Sequence, residues 1–588
     1  MTLWWRQPFR VALIVLGTLI LIAGASQLTR AGYSVDEEFT VFAVRGIQAH
    51  GLPLLPSGLL YDRGLAYSYG GWFVSAVTGA ELPSFRALSL LCAIAAIFFT
   101  IRIVRRHTTE RAAWLAALLV SVSLPFWATA TSGRFYAPFM ASYLGVLFLL
   151  SGKGWSYLGA LVAVSLVSRL THELAFTLAA VPALCLLLDD RAQRRRWLMA
   201  TAAVVAGLVA AQALLFVLHY LAPSSGETMV RRFFLWQVLN LFEVPGPRQY
   251  GVVLTAMVAG WLLLPKRAGL ITVLGVSGTA MVLSFSLARA TNAGPLTAAL
   301  VRSVLWDGAQ YPLDMFLHIA AAHPVATALA LGGLIARLAG AGGEWRLPER
   351  GVHLAWIGWV VWFGAIDSGI TINYLLLPMS LMLAAIAIDV DAIVGHTLPP
   401  LSAASTRFGI AVVALTAIAL GFDQWRGTGS ISKRLEASRP TINIEGMDEV
   451  RAGLLPTDRI ACTDELGCLM LVGRIDRWLA LDDFVRERFL VKRPDASLVG
   501  VYTGVPAVFR PGDLFAPNAD GTLPDRVLIV DVFKEHPIGN SRSWVPRAIE
   551  FDGLQVTPLL ETPQGRVLQI SPQERHAFAE PKPQQPMR

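Results

Sequence analysis

Charge is scarce in this chain. Only 15% of its 588 residues are Asp, Glu, Lys or Arg, against about 25% in a typical soluble domain, which excludes an ordinary soluble globular protein. Cysteine is scarcer, four in all. Cys92 and Cys185 lie inside apolar runs, so no zinc-type cluster is spelled out, while Cys462 and Cys468 in CTDELGC are spaced for a local disulfide if that segment faces an oxidising compartment. There is no glycine-rich nucleotide loop and no nucleophile elbow. No repeat recurs at a fixed period, and no matched pair of Gly/Pro-broken helices appears, which weakens a transporter reading.

Apolar residues are what the chain has. They make up 54% of it, with mean hydropathy +0.54, the composition of a polytopic membrane protein. The net charge of +8 does not point to nucleic acid, because the Lys and Arg residues sit mostly in short breaks between apolar runs. There they read as topology and headgroup charge. Residues 8–27 form the first span, flanked by Arg6, Arg10, Trp4 and Trp5, which gives a cytoplasmic N-terminus. A cleavable signal ending at AGAS is the competing reading; the acidic stretch that follows favours a retained anchor.

Residues 28–85 are too polar and too broken to cross. They read as an outer loop with two interface-lying segments, Glu38–His50 and Leu65–Ala80. Apolar spans follow near 86–104, 111–129, 133–150, 155–170, 171–188, 197–221, 249–264, 268–287, 314–338, 351–365, 372–390 and 408–425. With the first, that is about thirteen crossings. The basic breaks RIVRRHTTER, Lys153, DDRAQRRR, PKR and the stretch with Arg337, Arg346 and Arg350 then fall on one side. Arg231, Arg232, Arg289 and Arg302 fall on the other, as anion holders or as solvated loop charge.

Past Trp425 the composition becomes ordinary. DRVLIVDVF and GRVLQI read as strands, 445–454 as a helix, and EPKPQQPMR as a disordered tail. The expected architecture is an all-α polytopic membrane domain over 1–425, with a mixed α/β domain over 426–588 on the outer side.

The chemistry concentrates in GYSVDEEFTVFAVR, residues 32–45. Asp36, Glu37 and Glu38 sit beside the first span, where a carboxylate needs hydration or a partner. With Ser34 as N-cap, Glu37 falls at the capping-box position and can be structural. Asp36 lies about 100° away round the helix and is the candidate general base.

With that pair go the HGLP turn at 50–53, the aromatic second segment, SGRFYAPFM at 132–140 and NYLLLP at 373–378. In these motifs and their order the chain resembles the GT-C integral-membrane glycosyltransferases, and is similar to the protein O-mannosyltransferases and the aminoarabinose transferase of lipid A. The resemblance implies transfer of a sugar from a polyprenyl-phosphate (undecaprenyl-phosphate) donor to a hydroxyl on the outer, periplasmic side of a bacterial inner membrane, with inversion. The acceptor it implies is a glycan or lipid; alternatives are a protein acceptor, or a non-catalytic lipid-linked-sugar flippase. Asp36 and Glu37 are then the catalytic pair, and Arg63, Arg86, Arg134, Arg169, Arg289 and Arg302 the candidates for the donor phosphate.

Tyr136, His172, Glu173, Tyr311 and Tyr374 are candidate substrate contacts. The ordinary readings stand beside these: Arg134 as a snorkelling arginine, Arg169 and Glu173 as an i,i+4 pair, Tyr311 and Tyr374 as belt residues. Glu81 is a ligand or an interface ion-pair partner. SGRFYAPFM lacks the second acid that many family members carry there, so a divalent metal stays open. In the outer domain Asp476, Arg477 and Trp478 read as surface residues or as acceptor contacts.

Overall fold

The computed structural model describes residues 6–221, 316–366, 376–397, 441–480, 489–532 and 551–572, with short breaks inside these ranges. The first part is helical. Helix α1 (Arg6–Leu28) has 23 residues, about 35 Å at 1.5 Å per residue, against a hydrocarbon core of about 30 Å. A short strand β1 (Tyr33–Ser34) follows, then α2 (Glu37–His50) and α3 (Leu65–Thr78). These are the two segments expected in the outer loop. Gly51, at φ 74°, ends α2 and returns its N–H to the Ile47 carbonyl.

Helix α4 (Leu82–His107) is the hub, packing against α1, α3, α5 and α7. It buries Ala93, Ala96, Ile97, Thr100, Ile101 and Val104, a helical spacing whose small residues admit close neighbours. The single span expected over 111–129 is two helices, α5 (Glu110–Ser121) and α6 (Leu124–Ala130), bent by 65°. Pro125, in the first turn of α6, has no N–H with which to continue the ladder of α5. Helices α7 (Tyr136–Leu149) and α8 (Trp155–Thr171) come next. The span expected over 171–188 opens as a 3₁₀ turn, Glu173–Ala179, before α9 (Ala180–Leu188), and α10 (Arg194–Leu221) closes this group.

Three later helices are α11 (Pro324–Leu338), α12 (Leu347–Ile366) and α13 (Leu376–Thr397). They share a buried ion-pair cluster: Arg337 pairs with Glu349, and His353 Nε2 lies 3.0 Å from Asp389 Oδ2. Arg337, expected as a topology charge in a break between spans, is 3% exposed. Among the described residues three helices are long and apolar enough to cross a membrane, Leu82–His107, Arg194–Leu221 and Leu376–Val394, and the bent α5–α6 pair would make a fourth. The spans expected at 249–264, 268–287 and 408–425 lie outside the described residues, so thirteen crossings stay an expectation.

The C-terminal part is α/β. It begins with β2 (Thr441–Ile442) and α14 (Met447–Ala452), then β3 (Arg459–Cys462), α15 (Glu465–Leu471), β4 (Arg477–Leu479), β5 (Leu490–Lys492), β6 (Leu498–Gly500) and β7 (Ala507–Val508). Strands β8 (Val527–Val532), β9 (Leu554–Thr562) and β10 (Gly565–Pro572) complete it. Six of the strands make one sheet in the order β7-β4-β3-β8-β10-β9, parallel from β7 to β8 and antiparallel beyond. All six residues of β8 are buried; the apolar run Val527–Val530 suits a central strand, and the buried Asp531 is met by Arg566 and the Thr463 hydroxyl. Cys462 and Cys468 form a disulfide between β3 and α15.

β1 and β2 join the two parts. Tyr33 registers with Ile442 and Ser34 with Thr441 in an antiparallel pair that forms a two-stranded sheet of its own, so the chain just before the acidic triplet is tied to the start of the C-terminal part.

Candidate functional site

Three consecutive acids meet at the start of α2, and the backbone treats each differently. Asp36 is the N-cap residue, at φ 74° and ψ −7°, with no side-chain cap hydrogen bond. Among the described residues it is the one non-glycine with positive φ. That conformation costs about 1–2 kcal/mol for most residues and is most tolerable for Asn or Asp, and strain of this kind gathers at functional sites. The helix therefore starts at Glu37 itself, so Ser34 is not its N-cap and Glu37 is not at the capping-box position.

Glu37 is fully buried and has another partner. Arg86 lays Nε 3.2 Å from its Oε1 and Nη2 2.7 Å from its Oε2, and the Gly133 N–H donates to Oε1 at 2.6 Å. The remaining Arg86 donors reach the carbonyls of Leu28, Arg30 and Gly32 at 3.4, 2.8 and 2.9 Å. All five guanidinium N–H groups are thus committed within the chain. Arg86, expected as a phosphate ligand, braces the 28–32 loop instead, and a phosphate would have to displace that whole network. Glu38 is equally buried.

Asp36 points the other way. Its side chain is 40% exposed and its Oδ2 lies 3.9 Å from Arg134 Nη2. Arg134, in the turn between α6 and α7, is 3% exposed, so it is no snorkelling side chain. Its Nη1 donates to the Tyr61 hydroxyl at 2.7 Å, and its guanidinium stands 4.6 Å from the Phe135 ring centroid and 6.0 Å from those of Phe39 and Tyr61. Burial pushes the Tyr61 phenol above its usual range, against the pull of Arg134 and Arg63, so it keeps its own proton to donate.

His172, 7% exposed between α8 and the 3₁₀ turn, lies against the rings of Phe135, Tyr136 and Phe139 at centroid distances of 5.2, 6.2 and 4.9 Å. Its Nδ1 accepts the Leu174 N–H at 3.1 Å, which fixes a neutral imidazole with its proton on Nε2. The charges of Arg63, Arg169 and Arg134 all bear on it. Arg169 donates to Gln212 Oε1 at 2.8 Å and stands over the Phe176 ring; Glu173, at the start of the 3₁₀ turn, bears on it electrostatically.

The structure thus gathers Asp36, Arg63, Arg134, Tyr136, Arg169, His172 and Glu173 around one region, and sets Glu37 and Arg86 behind it as a brace. Arg289, Arg302, Tyr311 and Tyr374 lie outside the described residues. Glu81 takes both prongs of Arg45, at 2.9 and 2.8 Å, the ion-pair reading. Asp476 accepts the Ile460 N–H at 2.8 Å and pairs with Arg474, and Trp478 is buried with Nε1 on the Thr463 carbonyl. Those two serve the sheet rather than an acceptor. Among the described residues no group of three or more His, Cys, Asp or Glu side chains is placed to hold a metal ion.

Sequence reasoning missed Tyr61, Phe39 and Tyr502. The Phe39 ring stacks on Tyr61 at 5.5 Å and meets Tyr502 of the C-terminal part edge-on at 4.8 Å. Tyr502 also feels Arg63 and Asp36. No local pattern marks a residue that reaches the site from so far along the chain.

No protein-family model matches the chain, and no curated protein matches it. Among solved structures it is similar to ArnT from Cupriavidus metallidurans in the apo state, with TM-score 0.44 and 14% identity over 95% of this chain and 98% of that one. It is similar to the same protein bound to undecaprenyl phosphate, with TM-score 0.43 and 14% identity over 96% and 98%. It also resembles the Archaeoglobus fulgidus oligosaccharyltransferase in the apo form, with TM-score 0.47 and 14% identity over 90% and 70%. Both neighbours are GT-C membrane glycosyltransferases.

Proposed function

We propose that the chain is a membrane glycosyltransferase that moves a sugar from a polyprenyl-phosphate donor, undecaprenyl phosphate in a bacterium, to a hydroxyl of a glycan or lipid acceptor. The observation that carries this reading is Asp36: a solvent-reachable carboxylate in a strained left-handed conformation, set against buried Arg134, with Arg63 and Arg169 grouped around a neutral His172. A general base needs one open face, and a phosphate leaving group needs fixed positive charge that requires no rearrangement.

In this mechanism Asp36 accepts the proton of the acceptor hydroxyl as its oxygen attacks the anomeric carbon from the side opposite the phosphate. The carbon–phosphate-oxygen bond breaks, polyprenyl phosphate leaves with the electron pair, and the configuration inverts. Arg134, Arg63 and Arg169 hold the phosphate charge, and the Tyr61 hydroxyl and His172 Nε2–H supply neutral donors. Tyr136 and Glu173 line the sugar, while Glu37 holds the loop that aims Asp36. Arg289, Arg302, Tyr311 and Tyr374 are assigned to the site on sequence grounds alone.

The setting is a bacterial inner membrane, with a cytoplasmic N-terminus and the domain over 426–588 in the periplasm. The Cys462–Cys468 disulfide supports an oxidising compartment for that domain.

The test gives the protein in nanodiscs a panel of polyprenyl-phosphate sugars, with membrane extract as the source of acceptor, and follows free polyprenyl phosphate. Release with at least one sugar is expected. Movement of donor across the bilayer without release would replace this reading with a flippase, and transfer to protein in the extract would change the acceptor class.

A further inference from the structure

The turn 500–504 of the C-terminal part brings Tyr502 to the site, and one buried acid holds that turn. Glu465, the first residue of α15, is 3% exposed. Its Oε2 accepts the Thr503 N–H at 3.0 Å and the Thr503 hydroxyl as well, while Oε1 has no hydrogen-bond partner. Gly500 lies so near that a Cβ there would come within 2.3–2.4 Å of the carboxyl group. The turn closes on itself through Gly504 N–H to the Gly500 carbonyl at 2.8 Å, with Gly504 at φ 71°. It is tied to the outer loop by Ser57 N–H to the Tyr502 carbonyl at 3.0 Å. From Tyr502 an unbroken line of contacts runs through Phe39 and Tyr61 to Arg134 and Asp36.

Resting on the glycosyltransferase reading, the geometry points to Glu465 as a positioning residue that locks the 500–504 turn so that Tyr502 fixes Phe39, and with it the Asp36–Arg134 pair, from the C-terminal side. The C-terminal part is therefore a working component of the membrane site. Burial pushes the Glu465 carboxyl up to about 8, with Asp464 adding to the rise, so at neutral pH it is held mainly in the protonated form while Oε2 serves Thr503. Tyr502 on the turn feels both Glu465 and Arg63, and the elements packed against α15 carry Glu37, Glu38, Arg45 and His50 on α2 and Asp531 on β8. Glutamine, which keeps an acceptor oxygen without ionising, should replace it; alanine should not.

The experiment compares the full-length wild type with Glu465→Gln, Glu465→Ala and Thr503→Val in nanodiscs, by amide hydrogen exchange and by donor turnover. In Glu465→Ala and Thr503→Val, peptides over 498–506 and over 36–42 should lose protection together, and kcat should fall about 10- to 100-fold with donor binding retained. Glu465→Gln should restore both. Should Glu465→Ala fail to fold, Thr503→Val makes the same comparison. Opening of 498–506 with 36–42 unchanged overturns the proposal, as does Thr503→Val turning over like the wild type. If the wild type turns over no donor, the glycosyltransferase reading fails, while the coupled exchange still decides whether the turn positions the Asp36 loop.

Discussion

Glu37→Gln separates a brace from a catalyst. Glu37 and Arg86 have side chains 0% and 1% exposed and meet in a two-pronged pair. Removing one partner of such a pair strands the other charge in a low-dielectric interior, at about 3–5 kcal/mol. Glu37→Ala also deprives the Gly133 N–H of its acceptor, for a further loss of about 1–3 kcal/mol. Because both residues belong to one network, Glu37→Gln combined with Arg86→Gln should lose less than the sum of the singles, by about 1–3 kcal/mol. The assay is equilibrium unfolding in mixed micelles with a denaturing detergent, read by tryptophan fluorescence, alongside donor turnover on the fraction that stays folded. A folded Glu37→Gln protein should keep measurable turnover, since Asp36 supplies the base. Wild-type stability with abolished turnover would refute the reasoning and make Glu37 a chemical group.

Serine at both Cys462 and Cys468 opens a loop of sequence separation 6 and should cost about 2 kcal/mol, read as a lowered unfolding midpoint that reductant reproduces in the wild type. Gly64→Ala places a Cβ at φ 71° within 2.5 Å of the Phe135 ring. It should destabilise by about 2–3 kcal/mol and weaken donor binding as Phe135 shifts under Arg134; an unchanged melt and affinity would contradict that. The Glu465 carboxyl, raised from 4.5 to about 8, binds its proton more tightly folded than unfolded. Its contribution is full below about 4.5 and lost as pH rises through about 8, so wild-type stability should fall across that window relative to Glu465→Gln. Parallel pH curves for the two proteins would contradict this.

Much of the fold was legible because it rests on local signals. The apolar runs of α4, α10 and α13, the Gly51 stop of α2, the two outer-loop helices and the β8 run are each spelled out within one segment. Asp36 and Arg134 were legible as types, an exposed acid and a basic residue beside apolar spans. The pairing that gives each its place was not. Arg86 meets Glu37 across 49 residues, and nothing around either shows that the guanidinium is used up on Glu37 and three backbone carbonyls. β1 is a two-residue strand paired to a segment some four hundred residues away, too short for any alternation to register. Tyr502 sits in a short turn, GVYTG, whose only local mark is its glycine pair. The capping box at Ser34, the 3₁₀ opening of 171–188 and the bend inside 111–129 were local features misread; in the last, hydropathy runs evenly through the bend, and Pro125 alone marks the break.

In the proposed mechanism Asp36 does the chemistry and the arginines around it bind the donor, so the direct measurement separates the two. Wild type and Asp36→Asn in nanodiscs are each saturated with the donor that the panel identifies, and donor affinity and single-turnover release of polyprenyl phosphate are measured on the same samples. Asparagine accepts the left-handed conformation, so the loop should survive. The account predicts unchanged affinity with release slowed about 10²- to 10⁴-fold. Release at the wild-type rate, or loss of donor affinity in proportion to loss of release, would contradict it.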